Sequence, residues 1–465
     1  MSRFRPRMSP SGTVLAPVRR TPEANPAPFA PVPAAVLTKQ PEARPAAPIK
    51  PRGTMGQMIG FWVLCAYMVS AILNEWAFRI AGTRGYLSIV ALLLLPFAFV
   101  LSGAVFTAFK SKIGWWWAGF GLWLLVATPF SLWRGGSIQL LMNYLPRSYM
   151  LFFFVAALAY SLRNCRQLMY VNILVSLMSL ATVVAFGRYS EDGRYFVPGG
   201  AGFFENSNEL AVQLLLGITQ FVYLFSQKNK IGKLIAAGGI ACSVPYILRT
   251  GSRGCMLAAI AYGVLLLYLS RNRVRVIAVG SALAIVAVAL APSSALNRLM
   301  LLTGDEPPAS LAELSAIESQ TSRIALLKKS VVETMKHPLF GVGPGQFPLA
   351  VMDEAKGKGE WFQWLGTHNS YTQISSETGV PGFICYFAVL LAAIKMNLDL
   401  FRRSRSRRGA EDINALSIAL LSACVVYAVA SFFFHMAFTG TLPYYAGETL
   451  ALQFAVDKSL AGARA

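Results

Sequence analysis

The sequence predicts an all-α protein that crosses a membrane many times, and three observations carry that reading. Of its 465 residues, 55% are hydrophobic, above the roughly 45–50% apolar usage of soluble domains. Only 14% are charged, against about 25% in an ordinary globular protein, and the mean hydropathy is +0.51. Apolar runs long enough to span a bilayer as helices recur along the chain with short polar breaks. A soluble chain of this length could not cover itself with so little charge.

Residues 1–52 stand apart from the rest of the chain. They are rich in Pro and Ala, carry nine Lys/Arg and show no hydrophobic period. Such a segment cannot bury enough surface to fold alone and reads as a disordered basic cytoplasmic tail, with a docking role as the alternative. No apolar stretch precedes residue 55, so a cleavable signal peptide is not expected. Residues 53–465 are expected to form one transmembrane domain. Its spans fall near 55–73, 86–107, 113–133, 148–162, 168–186, 209–225, 231–248, 255–270, 274–291, 378–398 and 413–436. A twelfth, 443–457, is interrupted by Glu448, so the expectation is about twelve transmembrane helices.

The net charge of +21, from 42 Lys/Arg and 21 Asp/Glu, would suggest nucleic acid on a soluble chain. In a membrane protein it reads instead as cationic cytoplasmic loops with anionic lipid or phosphate partners, and no nucleic acid partner is expected. With the tail inside, the inner short loops hold Lys110/Lys112, Arg163/Arg166, Lys228/Lys230/Lys233, Arg271/Arg273/Arg275 and the cluster Arg402 to Arg408. The outer short loops hold fewer: Arg79/Arg84, Arg134/Arg147, Arg188/Arg194 and Arg249/Arg253. The bias puts both termini in the cytoplasm. The six cysteines lie in or beside apolar stretches without paired spacing, which argues against a disulfide framework or a zinc site.

One large outer segment, 292–377, remains, and an ordered loop of that length tends to be functional. Residues 321–336 read as an amphipathic helix, capped by Thr321 or Ser322, with Ile324, Leu327, Val331 and Met335 on one stripe. His337-Pro338 stops it, and Gly341-Val342-Gly343-Pro344-Gly345 makes a tight turn.

All the outer short-loop cations are arginine, which grips phosphate through a planar fork. Ordinary loop charge or salt bridging with nearby acids is the alternative. The turn Arg249-Thr250-Gly251-Ser252-Arg253-Gly254 offers two guanidinium groups, two hydroxyls and backbone N–H groups before a helix, which suits an anion. Arg194 precedes Asn206-Ser207-Asn208-Glu209, where Ser or Asn caps the sixth span. Of three histidines, His435 falls inside an apolar span and reads as a packed core residue, and His337 sits at a helix end. His368, in Thr367-His368-Asn369-Ser370-Tyr371 at the outer surface, can accept a proton near neutral pH; an inert loop histidine is the alternative. Neither a GxxxxGK[ST] loop nor an Asp-x-Asp pair occurs, so no metal, nucleotide or other cofactor is expected.

In this order the motifs resemble the bacterial O-antigen ligase and Wzy-type polysaccharide polymerase superfamily. They are Arg194 with Asn206-Ser207-Asn208-Glu209-Leu210-Ala211, Arg249 to Gly254, Arg323, His337 to Gly345, and His368-Asn369 with Glu377 and Gly379. The likeness runs over roughly 60–455. The family's usual Asn-Pro-Asn or Pro-Asn before span six is here Asn206-Ser207-Asn208. The resemblance implies a GT-C-like, inverting glycosyltransferase of the inner membrane, working on an undecaprenyl-diphosphate-linked glycan at the periplasmic face. It implies His368 as the base that activates the acceptor, Arg194, Arg249, Arg253 and Arg323 on the donor diphosphate, and Asn208, Asn369 and Glu377 in support. The implied partners are the lipid-linked glycan donor, a glycan acceptor and membrane lipid, with chain-length regulators or export proteins as further candidates. Polymerisation of repeat units is the leading expectation, and ligation to lipid A–core the close rival. A lipid-linked oligosaccharide flippase is the rival of another class, but no repeated halves are visible.

Overall fold

A computed structural model describes residues 53–83, 86–199, 204–290, 296, 311–359, 365–407 and 409–461. The tail 1–52, Arg84, Phe203 and parts of the outer segment lie outside the described residues. The chain is almost entirely helical. It runs through α1 (Met55–Ala81), α2 (Leu87–Leu101), α3 (Lys112–Ala127), α4 (Arg134–Tyr144), α5 (Leu151–Leu158) and α6 (Leu162–Phe186). A two-residue hairpin, β1 (Arg188–Tyr189) with β2 (Tyr195–Phe196), comes next. Then come α7 (Ser207–Ser226), α8 (Lys230–Arg249), α9 (Arg253–Leu269) and α10 (Arg273–Ala289). The outer segment supplies α11 (Leu311–Lys336) and α12 (Phe347–Lys358), and α13 (Ser370–Ser404), α14 (Glu411–Ala430) and α15 (Thr441–Ala461) complete the described chain.

Among the described residues, eight helical stretches are long and apolar enough to cross a membrane, and α2 and α9 are shorter apolar helices. Their outward faces are apolar, with Leu93, Phe97, Leu122, Leu234 and Ile260 exposed, as lipid-facing surfaces must be. Inside, Trp117, Phe120, Phe152 and Tyr386 are fully buried. The Trp117 indole donates to the Tyr149 carbonyl at 3.0 Å, and the Tyr386 and Tyr427 hydroxyls bond each other. Polar side chains also join helices in the interior: Ser176 to Gln220 at 2.7 Å, Gln220 to Tyr445 at 2.9 Å and Asn397 to Thr449 at 2.7 Å. Where lipid removes the hydrophobic drive between helices, such bonds supply part of the packing specificity.

Three expectations need correction. The stretch read as a loop with a separate span at 148–162 is one helical run, Arg134–Leu158, so Arg147 lies within a helix. Pro146 lacks an N–H, and the run absorbs it with a wider turn in which Met150 N–H donates to the Leu145 carbonyl at 3.0 Å. Next, α13 begins at Ser370, well before 378, and breaks at Gly379 (φ 73°). The outer helix is longer than 321–336: Thr321 is no cap, since its hydroxyl donates to the Ile317 carbonyl inside α11 at 3.1 Å. The stripe of Ile324, Leu327, Val331 and Met335 is exposed along its length. The face that packs inward carries Leu326, Ser330 and Glu333, and Thr334 bonds Ser375 of α13 at 2.9 Å. The buried face is the apolar one in water, but beside a membrane that rule loses its force.

The turn after α11 is the joint that places the outer segment. Val342 and Gly343 N–H groups donate to the Ser376 and Glu377 carbonyls at 2.8 and 3.0 Å. Val380 N–H donates to the Pro338 carbonyl at 2.8 Å. Phe340 stacks on Phe130 and Trp123. At Gly379 a Cβ would run into the Leu339 carbonyl oxygen. Gly379→Ala should therefore cost about 1–3 kcal/mol of backbone strain with a further steric penalty. The check is thermal unfolding of the purified full chain in detergent, where an unchanged midpoint would contradict this close approach.

Candidate functional site

The chain's polar loops sort to two ends of the helix bundle. At one end Thr54 bonds the Ser102 carbonyl, Arg166 pairs with Asp412 at 2.8 Å, and Arg271 donates to the Arg405 carbonyl at 2.9 Å. These are the loops expected on the inner side. The segments that follow α6, α8 and α14 and precede α13 meet at the other end, and there the candidate residues gather.

Arg194 is positioned by the hairpin. Ser190 and Arg194 close it through an N–H to carbonyl bond of 2.8 Å, across a turn containing Gly193 in the left-handed region. Asp192-Gly193 between tyrosines is a strong hairpin signal. The Arg194 guanidinium donates through Nε to the Thr250 carbonyl at 3.0 Å and through Nη2 to Asn208 Oδ1 at 2.7 Å. Asn206 caps α7 by accepting the Asn208 N–H at 2.9 Å, so the cap forms with Ser207 in place of proline. Asn208 thus supports Arg194 directly.

The 250–252 turn ends α8 and starts α9, with Gly251 at φ 60°. At its far end Arg253 donates to Gln320 of α11 at 3.1 Å. At its near end Arg249 lies over the Tyr246 ring at 5.0 Å. Its Nε is buried and has no hydrogen-bond partner among the described residues, an orphaned cationic donor of the kind an arriving anion satisfies. Gly254 packs without a side chain against Phe433 and Phe434.

His368 is the one described non-glycine residue with positive φ, at 50°. Its neighbour Asn369 caps α13 by accepting the Tyr371 and Thr372 N–H groups at 2.9 and 3.1 Å. The strained turn aims the imidazole at His435, 5.1 Å away between ring centroids and nearly perpendicular. Burial first, then His435 and Arg323, hold the His368 imidazole down to about 4, against its usual 6.5. His435 is lowered by burial and by Arg323 as well. His368 is therefore a neutral imidazole at neutral pH, able to accept a proton and not already carrying one.

His435 lies beyond the end of the apolar helix and not inside a span as expected. The helix α14 ends at Ala430, so His435 falls in the segment between α14 and α15. Its Nε2 faces a Glu209 carboxyl oxygen at 3.9 Å, and its buried Nδ1 has no partner among the described residues. Gly366 packs against its ring. Glu209 and Gln320 join the site too, without having been singled out as site candidates. Glu209 was visible only as part of the Asn-Ser-Asn-Glu string, and Gln320 carried no signal.

Other candidates resolve differently. Glu377 does not reach His368. It is buried in α13, where its carboxyl accepts the Gly345 N–H at 2.8 Å and the Phe347 N–H, fixing the glycine-rich turn. His337 stays in its expected place just past the end of α11, with Glu333 of that helix 3.8 Å away. Arg79 forms an ion pair with Glu75 at 2.6 Å and lies over Phe186, which is the salt-bridging alternative for an outer arginine. Arg134 donates to the Pro129 carbonyl, and Arg188 lies exposed on β1.

The fold and site define a multi-pass membrane protein with a histidine and several arginines set at one end of its helix bundle. The family described as O-Antigen ligase matches residues 238–387, from the middle of α8 into α13. Over that segment the chain is similar to the O-antigen ligase family, the likeness its motifs suggested. Members of that family are glycosyl-transferring membrane enzymes, ligases or polymerases, acting on lipid-linked glycan and acceptor substrates. No curated protein matches the chain. The match includes Arg249, Arg253, Arg323, His368 and Glu377, and leaves Arg194, Glu209 and His435 outside.

The depressed imidazole has a consequence for stability. Below about 6.5 the unfolded chain takes up a proton at residue 368 that the folded chain refuses until about 4. Stability should fall as pH drops through that window. His368→Gln should flatten the fall, read as melting midpoints at pH 7 and pH 5 in detergent. Parallel curves for both proteins would mean that the imidazole is not held neutral.

Proposed function

We propose that the chain is an inverting glycosyltransferase of the inner membrane that polymerises repeat units of an exopolysaccharide or O-antigen, delivered on undecaprenyl diphosphate. The observation that carries this reading is a closed circuit of side chains. Arg194 holds Asn208 and the Thr250 carbonyl, and Glu209, next to Asn208, faces His435. His435 meets His368, Arg323 acts on both imidazoles, and Arg253 ties the 250–252 turn to α11 three residues before Arg323. A base and fixed cations around one space are what transfer from a diphosphate requires.

In this reading His368 accepts the proton of the acceptor hydroxyl as its oxygen attacks the anomeric carbon. The bond from that carbon to the diphosphate oxygen breaks, with inversion. The leaving diphosphate keeps the electron pair, and Arg194, Arg249, Arg253 and Arg323 hold its charge. Preorganised donors of this kind are worth about 3–4 kcal/mol each elsewhere, and a positioned base about 10²–10⁴-fold. His435 and Glu209 orient the base and offset the local positive charge. Asn369 and Glu377 act on position alone, through the α13 cap and the glycine turn.

The twelve-span, GT-C-like reading fits the same assignment. The eight long stretches and the shorter apolar helices α2 and α9 support this reading, in which α10 and α15 are the remaining crossings and both ends of the domain lie on one side. The excess of Lys and Arg at the far end supports that side as the cytoplasm and the His368 end as the periplasm. Ligation of finished glycan to lipid A–core uses the same donor chemistry and remains the second reading, carried by the family match itself.

Deleting the gene and running lipopolysaccharide and secreted polysaccharide on gels separates the readings. A polymerase leaves single repeat units on lipid A–core, or abolishes a secreted polymer. A ligase leaves full-length glycan on the lipid carrier, and an unchanged profile rules out both. With purified protein, His368→Ala should lower transfer by about 10²–10⁴-fold at normal protein abundance. Retained activity would remove His368 as the base. Arg253→Lys should weaken donor binding, because a point charge cannot replace the planar fork.

The pH profile offers a further check. In the free site, burial and Arg323 press the His368 imidazole down. A bound diphosphate adds negative charge and raises its proton affinity. The acid limb of kcat, which reports the loaded enzyme, should therefore lie at higher pH than that of kcat/KM, which reports the free one. The reverse order would place the diphosphate away from His368.

A further inference from the structure

At the opposite end of the bundle, α7, α9, α10, α13 and α14 enclose a cavity of about 1040 Å³, at the upper edge of the roughly 300–1,000 Å³ typical of ligand pockets. Three buried hydroxyls line it, those of Tyr223, Tyr262 and Ser422. None of the three has a hydrogen-bond partner among the described residues. Buried hydroxyls without partners are costly, and three on one cavity point to a polar occupant. Its mouth carries Lys228, Arg271 and Arg405, all exposed. Of the two acids there, Asp412 is taken by Arg166 at 2.8 Å, and Glu411 accepts the Gly409 N–H at 3.3 Å. The walls are mixed, and Val222, Leu266 and Phe401 are among their apolar residues.

We propose that this cavity binds the phosphate headgroup of a membrane lipid. Lys228, Arg271 and Arg405 meet the phosphoryl oxygens, the orphaned hydroxyls meet polar groups carried deeper, and the apolar wall residues lie along the first methylenes. Arg271 is already held by its bond to the Arg405 carbonyl, so the cationic mouth is partly preorganised. A free phosphate ion shares the anionic chemistry but leaves most of the volume and the apolar wall residues unused. The site is remote from His368, and the proposal does not depend on the transfer reaction.

The test is native mass spectrometry of the full chain in detergent, titrated with short-chain phosphatidylglycerol, short-chain phosphatidylcholine and inorganic phosphate. Phosphatidylglycerol should occupy one saturable site, bound more tightly than phosphatidylcholine. Lys228→Gln with Arg271→Gln should weaken it by about tenfold or more, the loss expected for charge-assisted hydrogen bonds. Tyr262→Phe removes only a hydroxyl, keeps the test open if the double variant does not fold, and should weaken binding severalfold. Equal binding of phosphatidylcholine, or titrations unchanged by either substitution, overturns the proposal. Displacement of phosphatidylglycerol by inorganic phosphate at matching concentration would assign the site to a free anion and overturn the lipid.

Discussion

The placement of the outer segment depends on one buried carboxyl group. Glu377 sits in α13 just before its break at Gly379, accepting the backbone N–H groups of Gly345 and Phe347. Around it, Val342 and Gly343 donate to the α13 backbone, and Ser137 donates to the Pro344 carbonyl at 2.9 Å. These bonds tie the end of α11 and the start of α12 to the membrane helices. A buried polar group this well connected tolerates little displacement, because every broken bond leaves an unsatisfied partner. Arg323 on α11 and His368 at the head of α13 are thereby referred to one anchor. Its influence on the reaction is positional, exerted from outside the circuit it supports.

That anchor explains which parts of the site could be read from residues alone. Helix existence was legible because twenty-odd apolar residues have few other solutions in a bilayer. The arginine turn 249–254 and the Asn206 cap were legible because capping and tight turns are local chemistry. Glu377 could be picked out as a supporting residue, but its partners could not, since Gly345 lies over thirty positions away along the chain. His435 was misread because apolar neighbours on both sides extended a span past its true end at Ala430. What brings His435 to His368 is the contact of two loops distant in sequence, and no local pattern encodes that. The apolar stripe of α11 was legible but its surroundings were not, because hydrophobic periodicity marks a face without saying what lies beneath it.

The electrostatics of the site rest on an imbalance. Arg323 acts on both imidazoles, while Glu209 faces His435 at 3.9 Å. Fixed positive charge of this kind disfavours a protonated imidazole, and it attracts an anionic ligand for the same reason. Burial first, and that charge after it, keep the imidazole neutral. The strained backbone of His368 belongs to the same account, because such conformations persist only where surrounding structure over-determines them. Here the Asn369 cap and the Ser370 N–H bond to the Ser431 carbonyl at 2.7 Å supply that determination.

The two ends of the bundle use cations in different ways. At the His368 end the candidate cations are arginines, engaged with named acceptors such as Asn208 and Gln320. At the other end lysine and arginine sit together on exposed loops, Lys228, Arg271 and Arg405 among them at the mouth of the cavity. Geometry, more than charge count, therefore distinguishes a cation free to bind from one that serves the scaffold. Arg79, paired with Glu75, shows that an outer arginine can serve the scaffold alone. Arg249, with its buried donor unmatched among the described residues, shows the opposite case. The difference between these two residues lies in where each guanidinium's hydrogen bonds end.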